Sequence, residues 1–451
     1  MPPQNAAKSL MKEFRASFRR KKSSEPTPKV DKAKELEEEE LAKLVELKEN
    51  LGDDLPPQYS DAALLGFLRA RSLNVKEAEK LMKLDVNVLR FLRIHEYELP
   101  EVSRTYSMSG ILGYDNEGSL VRVVNVGDAD FKGFVHSLST IDEFRFFIWF
   151  FHKDAERLRA ENKKTGRKSG QFVYILNFER MSIGQLTYKP TLDTGIIALK
   201  LLQDHYHDIA KAIYVINTPP FFSSVYKLIK PVIQDSLNKR MKIYGYDGWK
   251  EELLKTIDPE ILPVYLGGSR VGKDDDPNCS DIISFGGTIP EHFYSNNFLD
   301  LEDPDVVTAT VGAGSTLNFR FAVREVGTIF RWHIQAKDND IGFGLMSESP
   351  TTGELEPLKV QAKKKKDKDE DISNFESLTP VIRSQCHVCP EVGSTILWTT
   401  GNLILHFDNT YSWMTSKDIA FKITLEPPGE MGRNYVNAAH HASKAIQDLK
   451  I

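Results

Sequence analysis

A chain of 451 residues is two to three times the size of one average domain, so two or three separate cores are expected. The net charge of −5 hides an asymmetry: residues 1–29 carry eight Lys or Arg against Glu13 and Glu25, a surplus of six that leaves the rest at −11 and excludes a main body built to bind nucleic acid. Cys279, Cys386 and Cys389 are too few and too unevenly spaced for a disulfide framework, which points to a reducing compartment. No apolar run reaches the ~18–20 residues of a spanning helix, and the first residues lack the apolar core of a secretory signal, so any membrane contact is expected to be peripheral.

Within the first segment, residues 1–30, Leu10, Phe14 and Phe18 recur at four-residue steps among Lys12, Arg15, Arg19, Arg20, Lys21 and Lys22. Two readings stand: a basic interfacial helix that forms on a surface, or a solvated tail. Residues 31–100 read as helical. Leu41, Leu44, Val45 and Leu51 share one expected face, Pro56-Pro57 breaks the pattern, and Asn74 followed by Glu77 marks a capped helix start.

Residues 101–278 change texture. The runs VRVVNV, FVYILNF and AIYVIN alternate with helical stretches beginning near Ile141, Thr191 and Phe221, which predicts an α/β domain with a largely parallel sheet. FVYILNF is apolar at nearly every position, as a strand covered on both faces must be. Residues 279–428 then switch to strict alternation: Leu317, Phe319, Phe321 and Val323, then Phe330, Trp332 and Ile334, then Leu403, Leu405 and Phe407, then Phe421, Ile423 and Leu425. An antiparallel β-sandwich is expected there, with a C-terminal tail over residues 429–451. The mixed-charge run at residues 363–374 reads as a hairpin connection, or as a lysine cluster at Lys363–Lys366 that meets acidic headgroups.

Enzyme signatures are missing from the sequence: no phosphate loop, no nucleophile elbow and no H-E-x-x-H helix. Gly312-Ala313-Gly314 opens the alternating region rather than a strand-to-helix junction, so it reads as a β turn. Cys386-His387-Val388-Cys389 has no second ligand pair to complete a zinc shell, and His205, His207 and Asp208 mark a helix-to-strand passage rather than a metal site. Neither an enzyme nor a metal or cofactor protein is expected.

Two stretches carry the functional question. Phe144, Phe146, Phe147, Trp149, Phe150 and Phe151 make a helix too apolar for a surface position, either packed core or cavity wall. In FFSSVYKLIKPVIQD, residues 221–235, Phe222, Val225, Tyr226, Ile229, Val232 and Ile233 share a face, and Lys230 precedes the helix-interrupting Pro231. An ordinary crossover helix and a kinked lid both fit. If it is a lid, alternate side chains of the neighbouring strands, Tyr174 and Leu176 with Tyr214 and Ile216, wall the pocket that it closes.

LLGFLRARS (64–72), INTPPFFSSVYKLIKPVI (216–233) and ILPVYLGG (261–268) resemble the Sec-fourteen-like CRAL-TRIO lipid-transfer family. IFRWHIQAKDNDIGFGL (329–345) and LILHFDNTYSWMTSKDIAFKITLE (403–426) resemble the GOLD sandwich of its supernatant protein factor, or tocopherol-associated, branch. The resemblance implies a multidomain chain: a helical N-terminal bracket, an α/β CRAL-TRIO domain enclosing a lipid, and an all-β GOLD domain suited to protein or membrane contacts. It implies a gate helix at residues 221–235 and headgroup contacts at Asp208 and Lys230. Two positions depart from the pattern: the family's usual Glu is Asp208, followed by Ile209 in place of a basic residue, and Asn177 stands where many members are acidic.

The expectation is therefore a carrier that holds one hydrophobic lipid, of phospholipid, tocopherol or isoprenoid class, and exchanges it at membranes. A lipid-responsive scaffold in trafficking or signalling is the alternative. The implied partners are the lipid, a membrane surface and a protein met through the GOLD domain, with a cytoplasmic location and transient peripheral membrane association; no nucleic acid and no cofactor beyond the lipid are expected.

Overall fold

The computed structural model describes residues 29–52, 61–166, 171–205, 209–348, 360–364 and 375–430. The basic segment of residues 1–28 and Asp208 lie outside them, as does most of the mixed-charge run. The chain divides into two compact units. One comprises residues 1–93, 139–141 and 296–451, the other residues 94–138 and 142–295.

The first unit begins with helices α1 (Lys29–Leu51), α2 (Asp61–Ala70) and α3 (Val75–Leu92). Their shared core joins Leu44, Leu47 and Leu51 to Leu64, Phe67 and Leu68 and to Val75, Ala78, Leu81 and Met82. The expected face of α1 is thus only half right: Leu41 and Val45 stay 54% exposed, and Leu47 takes the inward position. At α3 the local chemistry acts as the spacing predicts. The Asn74 side chain accepts from the Glu77 amide at 3.2 Å, satisfying a donor that helix geometry leaves open, and Arg93 ends the helix in a left-handed turn at φ 48°.

The second unit contains α4 (Glu101–Thr105), β1 (Ser109–Tyr114), β2 (Leu120–Val124) and α5 (Phe131–Ser137), then α6 (Thr140–Thr165), whose first two residues belong to the first unit. It continues with β3 (Phe172–Asn177), α7 (Ile183–Thr187), α8 (Lys189–His205) and β4 (Ala210–Ile216). After β4 come α9 (Phe222–Ile229), a 3-10 turn (Lys230–Val232), α10 (Asp235–Asn238), β5 (Met241–Ile243) and α11 (Trp249–Leu253). The sheet order is β1-β2-β3-β4-β5, antiparallel at β1-β2 and parallel from β2 to β5. As doubly covered strands require, each face has its own core. One gathers Phe172, Tyr174, Ile213 and Val215 with residues of α6, α8 and α9; the other gathers Val173, Ile175, Tyr214 and Ile216 with Trp249, Leu253, Ile257 and Leu262.

Among the described residues, ten antiparallel strands follow in the first unit: β6 (Val307–Val311), β7 (Ser315–Val323), β8 (Ile329–Ala336), β9 (Ile341–Glu348), β10 (Val360–Lys364), β11 (Phe375–Ser377), β12 (Ile382–Ser384), β13 (Glu391–Ile396), β14 (Gly401–Asp408) and β15 (Lys417–Glu426). They form one sheet of order β10-β7-β14-β9-β11, with β12 also on β9, and a second of order β13-β8-β15-β6. The alternation seen in the sequence seats Phe319 and Phe407 of one sheet against Phe421 of the other, with ring centroids 4.6 and 5.7 Å from Phe421. Within the same unit α3 meets the strands: Phe91 stacks on Trp332 at 5.3 Å, and the Thr395 hydroxyl donates to the Phe91 carbonyl at 2.8 Å.

Candidate functional site

The candidate site is the face of the parallel sheet that α9 covers. Tyr174 and Leu176 of β3 lie there with Phe222, Val225, Tyr226, Ile229 and Ile233, so one apolar cluster brings together seven of the residues singled out from the sequence. Phe178, just past β3, meets Phe222 edge-on at 4.9 Å, and Phe222 stacks on Tyr226 at 6.1 Å. Val232 is half-buried beside them, and Lys230 is exposed at the end of α9.

Tyr214 and Ile216 are a correction. They point to the opposite face, against Trp249 and Leu253. The cause is register: Tyr174 pairs with Ile213 and Leu176 with Val215, after an irregularity between Phe172 and Val173. Side chains of paired residues share a face, so a one-residue offset between strands reverses the assignment. Ile213 and Val215 take the expected places. Nothing within either strand signals that offset. Asp208 lies outside the described residues, and its neighbour Ile209 packs half-buried against the site.

The two faces differ in closure. Among the described residues, fifteen half-buried apolar or aromatic ones pack against the core on the α9 side, including Phe147, Phe150, Leu176, Leu192, Leu199 and Tyr226, whereas five do so on the other face. Well-packed protein interiors leave little apolar surface unmatched. The aromatic helix α6 follows the same pattern: Phe144 and Phe151 are buried, but Phe146, Phe147, Trp149 and Phe150 keep part of their surface.

Polar groups hold this face in shape. The buried Gln203 of α8 donates from Nε2 to the Val232 carbonyl at 3.2 Å and accepts from the Gln234 amide at 2.6 Å, so one side chain clasps the strap that follows α9. The Tyr226 hydroxyl donates to Asn238 at 2.6 Å, and burial raises its phenol above the usual range. Beneath Phe150, the Arg122 guanidinium pairs with both oxygens of buried Asp154 and donates to Ser109 Oγ at 3.2 Å. Replacing Gln203 by Leu leaves a carbonyl and an amide without their partner. Stability is expected to fall by about 1–3 kcal/mol, with faster protease cleavage in residues 229–234, read by limited digestion; unchanged cleavage would contradict the clasp.

A row of amides closes the carboxyl ends of the parallel strands. Trp249 Nε1 donates to Asn217 Oδ1 at 3.1 Å, Asn217 Nδ2 to Asn177 Oδ1 at 2.9 Å, and Asn177 Nδ2 to Asn125 Oδ1 at 3.3 Å. Asn217 sits in the left-handed region at φ 55°, where asparagine is among the few residues tolerated, and it begins the turn that delivers α9. Asn177 is thus a link in a buried chain, which accounts for an amide at that position.

Residues 104–268 match the model of the CRAL/TRIO domain, and all of this range except residues 139–141 lies within the second unit. Protein ctg-1 of Caenorhabditis elegans is 26% identical over 371 residues, 81% of this chain and 92% of the relative. Protein real-time of Drosophila pseudoobscura pseudoobscura is 24% identical over 283 residues, 60% of this chain but 40% of the relative. The crystal structure of Sfh5 aligns with 53% of this chain and 90% of its own at 14% identity, with a TM-score of 0.38.

Proposed function

We propose, from the CRAL/TRIO match over residues 104–268, that the second unit binds a single hydrophobic lipid on the α9 side of its sheet and exchanges it at membrane surfaces. The observation that carries this reading is the unequal closure of the two faces: the α9 side gathers apolar surface that its own packing leaves partly unmatched. A lipid chain of ~16 methylenes at ~0.8 kcal/mol each costs on the order of 13 kcal/mol to hold in water, so unaided desorption is slow. Side chains of β3, β4, α6, α8 and α9 offer contacts that replace those of the bilayer, which makes exchange nearly isoenergetic.

In this reading α9 and the strap after it are the gate. Opening exposes the Phe222, Val225 and Ile229 side to water, and the cost falls when that side meets acyl chains, so a bilayer favours the open form. Among the described residues no helix is long and apolar enough to cross a membrane. The lipid leaves chemically unchanged, and no cofactor beyond the lipid is invoked. The two-sheet unit, read as a GOLD-like sandwich, adds a protein or membrane contact.

The deciding experiment recovers lipid from the full chain purified from its native cells, identifies it by mass spectrometry, and measures its movement between donor and acceptor vesicles. Catalytic amounts of protein should accelerate transfer; stoichiometric binding without turnover would favour a lipid-responsive scaffold, and a chain that carries no lipid overturns the reading. Lys230 is exposed at the end of α9, and in this reading its ammonium pairs with a headgroup phosphate. Lys230→Ala should slow phospholipid transfer severalfold and leave uptake of a neutral hydrophobe unchanged. Equal phospholipid transfer by variant and parent would remove Lys230 from the site.

A further inference from the structure

The first unit carries an exposed apolar feature that the gate does not use. Between β14 and β15, Trp413 is 74% and Met414 93% exposed, the two most exposed large apolar side chains among the described residues. The loop that bears them is firmly built. Buried Asn409 donates from Nδ2 to the carbonyls of Val311, Gly312 and Thr415 at 3.1, 3.1 and 2.9 Å. Tyr411 donates to the Asp340 carbonyl at 3.0 Å, and the Arg383 guanidinium lies 3.8 Å over its ring. A floppy loop could fold its tryptophan back; this one is braced to hold it outward.

The surroundings indicate the occupant. Ser412, Thr415 and Ser416 flank the apolar pair with hydroxyls, and Lys337 is exposed in the neighbouring β8–β9 turn, whose backbone bonds Asp418. The acids here are mostly engaged: Asp340 by Arg383 and Lys417, Asp418 by Thr310, and Asp408 by the Thr410 amide. Asp338 and Asp418 are the exposed ones among them. Two side chains on a raised tip offer far less than the ~800 Å² per partner of a stable protein interface. A bilayer needs no matching surface: tryptophan and methionine gain there in proportion to the area inserted, with hydroxyls and lysines at headgroup level.

We propose that this end of the two-sheet unit is a bilayer-docking tip, in which Trp413 and Met414 insert below the headgroups of a phospholipid surface while the hydroxyls and Lys337 around them meet the headgroups. It stands on residues 307–426 alone and does not require the gate reading.

The test uses the full chain and extruded vesicles of phosphatidylcholine, with and without phosphatidylserine. The parent should sediment with both. The double variant Trp413→Ser/Met414→Ser should partition at least tenfold more weakly, while Val326→Ser, at the exposed turn between β7 and β8, should match the parent. Met414→Cys labelled with an environment-sensitive fluorophore should shift to the blue on vesicles. A parent that sediments with neither vesicle, a double variant that sediments like the parent, an equal loss for Val326→Ser, or a label that stays in water while the chain sediments overturns the proposal. Lipid loading, measured on the same preparations, reports on the gate and should not change, so the two readings fail separately.

Discussion

Replacing Asp154 by Ala should lower the stability of the sheet unit by about 3–5 kcal/mol, the cost of leaving a desolvated guanidinium without its carboxylate. Asp154 is buried, Arg122 keeps only 12% of its side-chain surface, and Phe150 lies 4.3 Å from the guanidinium carbon. The remaining partner, Ser109 Oγ at 3.2 Å, is neutral and cannot replace the charge. Removing both charges is a different matter. Arg122→Met with Asp154→Leu takes away the attraction and the desolvation together and should restore most of the loss, because buried ion pairs are often no more stabilising than apolar pairs of similar volume. The measurement is the urea midpoint of the transition assigned to this unit, with the first unit's transition as internal reference. A single variant within ~1 kcal/mol of the parent would mean that water reaches the pair and that this face is wetter than the packing suggests.

Loading of hydrophobic ligand should fall at least tenfold in Tyr226→Asp and in Ile229→Asp, and by more when the two are combined. Both side chains sit half-buried on the sheet side of α9. Closing the helix over a lipid would enclose an unpaired carboxylate, which costs several kcal/mol, and each ~1.4 kcal/mol is a factor of ten in affinity. Lys227→Asp on the exposed side of the same helix changes the charge by two units rather than one and should still leave loading unaltered. Tyr226→Phe isolates the bond to Asn238 and should cost far less than the acid. The readout is the amount of lipid extracted per chain after incubation with vesicles. Normal loading in both acid variants, with folding verified, would remove α9 from the lipid site.

What could be read in the sequence was what neighbours in sequence decide. The Asn74 cap, the doubly apolar strand from Phe172 to Asn177 and the period-two alternation of Leu317 and Phe319 are local patterns, and each appears where its chemistry places it. The side of residues 221–235 that rests on the sheet was legible too, because a 3.6-residue period fixes which residues share a face. Relations between distant segments were not. Tyr214 and Ile216 fell on the wrong face because the offset between two parallel strands is set by the pairing itself. Asp154 lies 32 residues from Arg122, and Gln203 lies 29 and 31 from Val232 and Gln234, so none of these bonds leaves a mark in local spacing. Leu41 and Val45 misled for a related reason: a helix with more apolar residues than one face needs does not announce which of them its neighbours will cover.

The amide row across the strand ends has a direction. From Trp249 to Asn217, Asn177 and Asn125, every donor faces the same way, and the Asn125 Nδ2 at the end has no hydrogen-bond partner among the described residues. A carboxylate at position 177 would still receive Asn217 but would set an acceptor against Asn125 Oδ1. Only a half-turn of the Asn125 amide, bringing its idle donor around, would repair the clash. Positions 125 and 177 are therefore coupled, so that an acid at position 177 dictates which way the side chain at 125 must turn while leaving the bond from Asn217 in place.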